Sequence, residues 1–242
     1  MSTLSAVLTP WYRRTSTSAG GGPQVSGSLS PTAILDFNSA EVQQLVSRAR
    51  RVAGSSSPLE VLEAAHAIIR NEVRPVYALD ESTPSSRTLR RGKGSCSQRL
   101  AILESVARAV GVRTRVRALL VDRSFWYPRF PRIGFLLPDK IMLVWPEFDI
   151  DGTWRSASDL FGAIGCRGGF KNTGSETLFE AVGRCAIDWH GRSHNDEYDL
   201  SNFVRADHRY FSDRDAAFAR LGQTLSSPFR ILADPVLRRI SA

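Results

Sequence analysis

The chain has 242 residues and a mass of 26.8 kDa, a length that favours one large domain over two small ones. Its composition is 42% hydrophobic and 23% charged, and it has no apolar run of the roughly 18 residues that span a bilayer, which excludes an integral membrane protein. The net charge of +8 comes from arginines spread from Arg13 to Arg239 rather than gathered in one stripe. We therefore expect neither nucleic acid nor a membrane as a partner, whereas an anionic small-molecule substrate or a carrier protein stays open.

The three cysteines, Cys96, Cys166 and Cys185, point to a reducing compartment. An odd number of cysteines without close pairing suits free thiols better than a disulfide framework. No two of them have the spacing of zinc ligands, so we expect no metal and no cofactor. The first ten residues lack the basic region of a cleaved signal peptide. The predicted location is the cytoplasm.

Composition divides the chain into two parts. Residues 1–33 are polar and glycine-rich, which predicts a flexible N-terminal arm. Residues 34–242 are predicted to form a single domain with a C-terminal extension.

Two helices are predicted next. The first begins after Ser39 and ends at Gly54. The second begins after Ser57, with Pro58 in its first turn. The stretch 77–91, with Pro84 and paired serines, is predicted to be a loop.

A third helix is predicted to begin at Cys96, after the glycine-rich segment Gly92–Ser95, and to end at Gly111. Its apolar positions fall on one helical stripe. The alternating pattern of 112–121 predicts a strand that leaves this helix.

The second half contains a further strand and a hairpin. Lys140–Ile150 is predicted to be a strand, and the turn at Asp151-Gly152 leads into Thr153–Ser156. An aromatic, proline-rich loop, 125–131, precedes this strand. Near the C-terminus, 215–221 is predicted to be a helix capped by Ser212 and Asp213.

Cys96 is the main candidate for a reactive residue in this sequence. A cysteine in the first turn of a helix lies beside unsatisfied N–H groups and a partial positive charge, which favour a thiolate. Gly94, two residues earlier, would leave room for a substrate carbonyl next to the sulfur. The alternative is that Cys96 is a small buried hydrophobic residue.

The chain resembles the transglutaminase-like superfamily over about residues 40–160. The resemblance rests on the run Thr88–Cys96, on Ala107–Arg115, and on Val144–Phe148 followed by Trp154 and Asp159. It implies an α+β, papain-like fold in which a cysteine-bearing helix packs on an antiparallel sheet. It also implies a triad of cysteine, histidine and aspartate, with Cys96 as the thiol and with either Asp159 or Ser158 at the position of the aspartate.

One member of that triad is missing. The family histidine stands two residues before the tryptophan, where this chain has Leu143, and the chain contains no histidine between His66 and His190. Leucine can neither accept the thiol proton nor pass it to a leaving group. Either His190 or Glu147 would have to replace the base, or the chemistry would need no thiolate. Apolar neighbours would raise the pKa of Glu147 towards that task.

Other residues are candidates for the substrate site. Trp126 and Tyr127 would wall a hydrophobic pocket together with Leu143 and Trp145, and Arg99 would steady a carboxylate or an enolate. The arginine bias is typical of a G+C-rich bacterial genome.

The leading hypothesis is a bacterial natural-product tailoring enzyme that acts on a polyketide or polyketide–peptide, free or on a carrier protein, by acid–base cyclisation or dehydration. Two alternatives stay open. The first is a Cys96-dependent acyltransferase, amidase or protease, and the second is a non-catalytic binding protein.

Overall fold

The computed structural model describes residues 24–129, 137–156, 200–225, 227–237 and 239. The chain forms helices packed against an antiparallel sheet, which confirms the predicted α+β class. The described helices are α1 (Ala40–Ala53), α2 (Pro58–Glu72), α3 (Ser85–Arg91), α4 (Cys96–Ala109), α5 (Arg214–Leu221) and α6 (Ser227–Leu237). None of these helices is long and apolar enough to cross a bilayer.

The first two helices begin and end where local chemistry predicts. Gly54 closes α1 in a left-handed conformation with φ of 62°, and Pro58 occupies the first turn of α2. Both helices bury one apolar face in the main core. Segment 77–91, predicted as a loop, differs, because α3 forms after Pro84 and ends at the left-handed Gly92. A proline just before a helix does not oppose it, so Pro84 marks a helix start here.

The four-stranded antiparallel sheet has the order β5-β4-β3-β6. Its strands are β3 (Thr114–Asp122), β4 (Lys140–Ile150), β5 (Thr153–Ser156) and β6 (Val204–Phe211). The bounds of β4 and β5 are those predicted from the sequence. A separate parallel pair joins β1 (Arg74–Pro75) to β2 (Lys93–Gly94).

The sheet packs against helices through two apolar clusters. The larger one joins α1, α2 and α4 to Leu119, Leu143 and Trp145 of the sheet, and the smaller one packs Ala217 and Leu221 of α5 on β3 and β4. Burial of these side chains supplies most of the stability, at about 25 cal/mol per Å² of apolar surface.

Residues 28–30, near the C-terminal end of the predicted arm, lie against this core. Ser28 exchanges backbone hydrogen bonds with Thr114 of β3, at N···O distances of 2.9 and 3.1 Å. The buried Arg108 guanidinium donates to the Ser30 carbonyl, to the Thr114 hydroxyl and to the Ser212 carbonyl. One arginine thus ties residues 28–30, β3 and the start of α5 together.

Candidate functional site

Cys96 is the first residue of α4, and its position is fixed by a capping box. The Ser95 hydroxyl accepts from the backbone N–H of Gln98 at 3.2 Å, and the Gln98 side chain accepts from the backbone N–H of Ser95 at 3.1 Å. This reciprocal pair satisfies two N–H groups that a helix start otherwise leaves open. Residue Cys96 keeps some surface accessible to solvent, but it packs against the main core and its sulfur is densely surrounded by protein atoms.

The space beside Gly94 differs from the expectation that it leaves room for a substrate. A Cβ at this position would lie 2.6 Å from the Thr88 methyl group and 3.1 Å from the Gln98 side-chain oxygen. Gly94 therefore lets α3 and the capping glutamine approach the backbone closely, so its role is in packing.

A methyl group at Gly94 should destabilise the fold. We expect Gly94→Ala to lower the free energy of unfolding by about 1 to 3 kcal/mol, because the buried Thr88 would have to move. Urea unfolding followed by circular dichroism measures the change. The double variant Gly94→Ala/Thr88→Ser removes the methyl group that the new Cβ would meet, and it should recover part of the loss. Equal losses in the two variants would contradict the packing role.

The pairing of β1 with β2 brings a second reactive residue to the start of α4. Arg74 and Pro75 lie opposite Lys93 and Gly94, so the segment after β1 runs beside the residues that precede Cys96. Gln98 then donates from its amide nitrogen to the Asp80 carbonyl at 2.8 Å. The next residue, Glu81, lies in a turn.

The Glu81 carboxylate is held by a chain of side chains from α4 and α5. Arg214 donates to the Ser97 hydroxyl oxygen at 2.7 Å. Because an arginine can only donate, the Ser97 hydroxyl keeps its own proton for the Glu81 carboxylate, to which it is hydrogen-bonded. Arg214 also pairs with Glu104 at 2.5 Å, and both side chains are fully buried.

The electrostatics of this cluster separate the two reactive groups. Burial, followed by the charge of Glu81, raises the pKa of the Cys96 thiol to about 12, against the lowering effects of Arg214 and Arg99. Burial raises the pKa of Glu81 to about 7, although the Ser97 hydrogen bond and Arg214 lower it. At neutral pH the sulfur is therefore a thiol, and the carboxyl group titrates in the range in which a general base works best.

Glu147 is paired with an arginine of the neighbouring strand. It is opposite Arg115 across β3 and β4, and the Arg115 guanidinium pairs with its carboxylate at 2.7 Å. The Tyr210 hydroxyl is hydrogen-bonded to the same carboxylate. Arg115 itself lies between the rings of Trp154 and Tyr210, about 4 Å from each centroid. These contacts join four strands. The role of Glu147 as the base stays a prediction.

The structure places the predicted pocket residues as follows. Leu143 and Trp145 belong to the main core cluster, against which Cys96 and Trp126 also pack. Tyr127 is 41% exposed, next to Trp126.

Arg99 is fully buried, and its guanidinium lies 3.5 Å from the Ile69 carbonyl. Asp159 and His190 lie outside the described residues. Within the described ranges, no group of three histidine, cysteine, aspartate or glutamate side chains is arranged to hold a metal ion.

A comparison with protein families fits this architecture. Residues 46–158 match the family model of the transglutaminase-like superfamily, over the segment that carries α2, α4 and the β3–β4 hairpin. These residues belong to the transglutaminase-like superfamily. No curated protein and no solved structure matches the chain significantly.

This superfamily is generally enzymatic and cysteine-dependent. Cys96 stands at the start of α4, and the assignment of Leu143 to the position of the family histidine stays a prediction. Among the described residues, three charged side chains act on the thiol, and all three lie outside β4: Glu81, Arg214 and Arg99.

Sequence reasoning missed Glu81 and Arg214. Glu81 lies in a stretch predicted as a plain loop, and Arg214 stands at the start of a helix 118 residues after Cys96. The single available signal was an acidic residue a few positions before Pro84, too common a pattern to predict a site.

Proposed function

We propose that this protein is a small-molecule tailoring enzyme in which Glu81 performs acid–base chemistry beside a neutral Cys96 thiol. The observation that carries the proposal is the Glu81 carboxylate, fixed by Ser97 next to the first turn of the cysteine-bearing helix. Transglutaminase-like enzymes place their acid–base residue at this sulfur, and Glu81 supplies such a group where Leu143 cannot.

The charge state of the site supports this chemistry. A thiol with a pKa of about 12 is a poor resting nucleophile at neutral pH, whereas a carboxyl group with a pKa of about 7 is half ionised and can both accept and return a proton. Burial strengthens the interaction of such a carboxylate with a developing charge.

The proposed reaction is an intramolecular condensation. Glu81 takes a proton from a carbon next to a carbonyl, and the resulting enolate carbon attacks a second carbonyl of the same molecule. The proton held by Glu81 then passes to the new alkoxide, so the carboxylate is regenerated. Loss of that hydroxyl with a neighbouring proton as water would complete a dehydration.

The proposed substrates are linear polyketides or polyketide–peptides, free or as thioesters on a carrier protein. Such chains contain the spaced carbonyl groups that the condensation needs. The apolar residues around Cys96, including Leu143 and Trp126, supply contact surface for a hydrocarbon chain. Cyclisation needs no leaving group to be protonated, which fits the absence of a histidine at position 143.

A second candidate is acyl transfer through Cys96. It is favoured by the position of the sulfur at the N-terminus of α4, where backbone N–H groups stabilise a thiolate or an oxyanion. Glu81 would then take the thiol proton during attack, in place of the relocated bases His190 and Glu147.

One experiment separates the two candidates. A panel of linear polyketide and polyketide–peptide thioesters of N-acetylcysteamine is incubated with the wild type, Cys96→Ala and Glu81→Gln, and the products are analysed by mass spectrometry. Acid–base chemistry predicts an isomer, or a product lighter by one water, from both the wild type and Cys96→Ala but not from Glu81→Gln.

Acyl transfer predicts a different pattern from the same panel. Free N-acetylcysteamine and an acyl group on Cys96 would appear with the wild type, and both would vanish in Cys96→Ala. That outcome would replace our first proposal. The absence of any product over buffer across the whole panel would contradict the substrate class.

A further inference from the structure

The C-terminal segment, described for residues 222–225 and 227–237, contacts the loop that carries Glu81. This segment lies beyond residue 158, the end of the transglutaminase-like match. It consists of the connection after α5 and of α6. Three of its side chains act on residues 79–81: Gln223, Arg230 and Asp234.

Gln223 makes the closest contacts, because it uses both ends of its side-chain amide. Its carbonyl oxygen accepts from the backbone N–H of Glu81 at 3.0 Å. Its side chain is also hydrogen-bonded to the Asp80 carboxylate, to which only the NH₂ group of the amide can donate. One amide thus bridges two consecutive residues of the loop.

Other side chains also contact residues 79–81 of this loop. The buried Asp234 of α6 accepts from the backbone N–H of Leu79 at 2.8 Å, and the Arg230 charge acts on both Asp80 and Glu81. Gln98 of α4 also donates to the Asp80 carbonyl. The backbone of residues 79–81 is therefore held by α4 and by the C-terminal segment together.

We infer that Gln223 is a positioning residue for the Glu81 carboxylate, and that the C-terminal segment completes the site that the transglutaminase-like core begins. The amide fixes the backbone of Glu81, so that its side chain meets the Ser97 hydroxyl and the Cys96 thiol instead of turning into water. The catalytic meaning of this positioning rests on the proposed function, whereas the placement itself does not.

The test measures the titration of Glu81 directly and needs no substrate. Protein labelled with ¹³C-glutamate is titrated by NMR, and the Glu81 carboxyl signal is assigned by its absence in Glu81→Gln. In the wild type this signal should titrate near pH 7. In Gln223→Leu the midpoint should fall by about one unit or more towards the ordinary value of a carboxyl group, because the released side chain becomes hydrated.

Two further variants make the result decisive. Gln223→Asn keeps the amide but shortens it by one methylene group, and it should shift the midpoint in the same direction. Gln44→Leu, at an exposed glutamine of α1, should leave it unchanged.

An unchanged midpoint in both Gln223 variants would overturn the inference, as would loss of folding in both, since the amide would then support the fold as a whole. A shifted midpoint together with full activity of Glu81→Gln would contradict the proposed function while keeping the placement of Gln223.

Discussion

Glu81→Gln should make the Cys96 thiol more reactive while it makes the enzyme slower. The Glu81 charge raises the pKa of the thiol, so its removal should lower that pKa. A fall of about one unit would raise the rate of modification by methyl methanethiosulfonate at pH 8 about threefold, since the gain in thiolate is partly offset by lower nucleophilicity. If Glu81 is the general base, as proposed, its loss should reduce turnover of an accepted thioester by about 10²- to 10⁴-fold.

Peptide mass spectrometry locates the modified sulfur and separates Cys96 from Cys166 and Cys185. Glu63→Gln, at an exposed glutamate of α2, is the control that removes one negative charge elsewhere. Unchanged or slower modification of Cys96 in Glu81→Gln would show that the carboxylate does not act on this thiol.

The same substitution should alter the dependence of stability on pH. The pKa of Glu81 is about 7 in the folded protein and near 4.5 in the unfolded chain. Between these values the folded state binds more protons, so the free energy of unfolding contributed by Glu81 falls as the pH rises from about 4.5 to 7. Glu81→Gln should remove that part of the decline, which urea unfolding at pH 5 and pH 7.5 measures.

Arg214→Met should produce the largest loss of stability. The Arg214 guanidinium pairs with the fully buried Glu104, and its removal would leave a buried carboxyl group without its counter-charge. Breaking such a pair from one side typically costs about 3 to 5 kcal/mol. In a chain of this length the midpoint of thermal unfolding should fall by roughly 6 to 20 °C.

The loss in Arg214→Met should also depend on pH. Burial raises the pKa of Glu104, and Arg214 opposes that rise, so the variant should hold Glu104 protonated to a still higher pH. A carboxyl group with a raised pKa in the folded state favours folding at low pH. The stability that Arg214→Met loses relative to the wild type should therefore be smaller at pH 5 than at pH 8. The double variant Arg214→Met/Glu104→Leu should recover much of the loss, because it removes both buried charges.

Arg220→Met serves as the matched control, since Arg220 is an exposed arginine on the same helix. Equal losses in Arg214→Met and Arg220→Met would contradict a structural role for the buried pair. If the double variant loses as much stability as Arg214→Met, the loss would come from packing rather than from an unpaired charge.

The two predictions concern one connected cluster. Arg214 orients Ser97, and Ser97 donates to Glu81, so the arginine at the start of α5 reaches the carboxylate through one hydroxyl. Arg214→Met should therefore also alter the titration of Glu81. The cluster combines residues of α4, of α5 and of the loop before α3, and no single segment of the chain contains it.

The elements that the sequence predicted well are those fixed by neighbouring residues. Ser95 and Gln98 are three positions apart and form the capping box that begins α4, whatever the rest of the chain does. The alternation of Lys140–Ile150 and the turn at Asp151-Gly152 likewise specify β4 and the hairpin to β5. The order of these motifs was also enough to indicate the transglutaminase-like superfamily.

What the sequence alone determined is thus the helix start at Cys96, the strands β4 and β5 and the resemblance to the transglutaminase-like superfamily. The tertiary structure alone decided which groups surround the sulfur. Glu81 reaches Cys96 through the pairing of β1 with β2, and it is held there by Gln223, 142 residues further along the chain. Such contacts depend on the path of the whole backbone, and the pKa values depend on the burial that the assembled core imposes, so neither is written in any short stretch of residues.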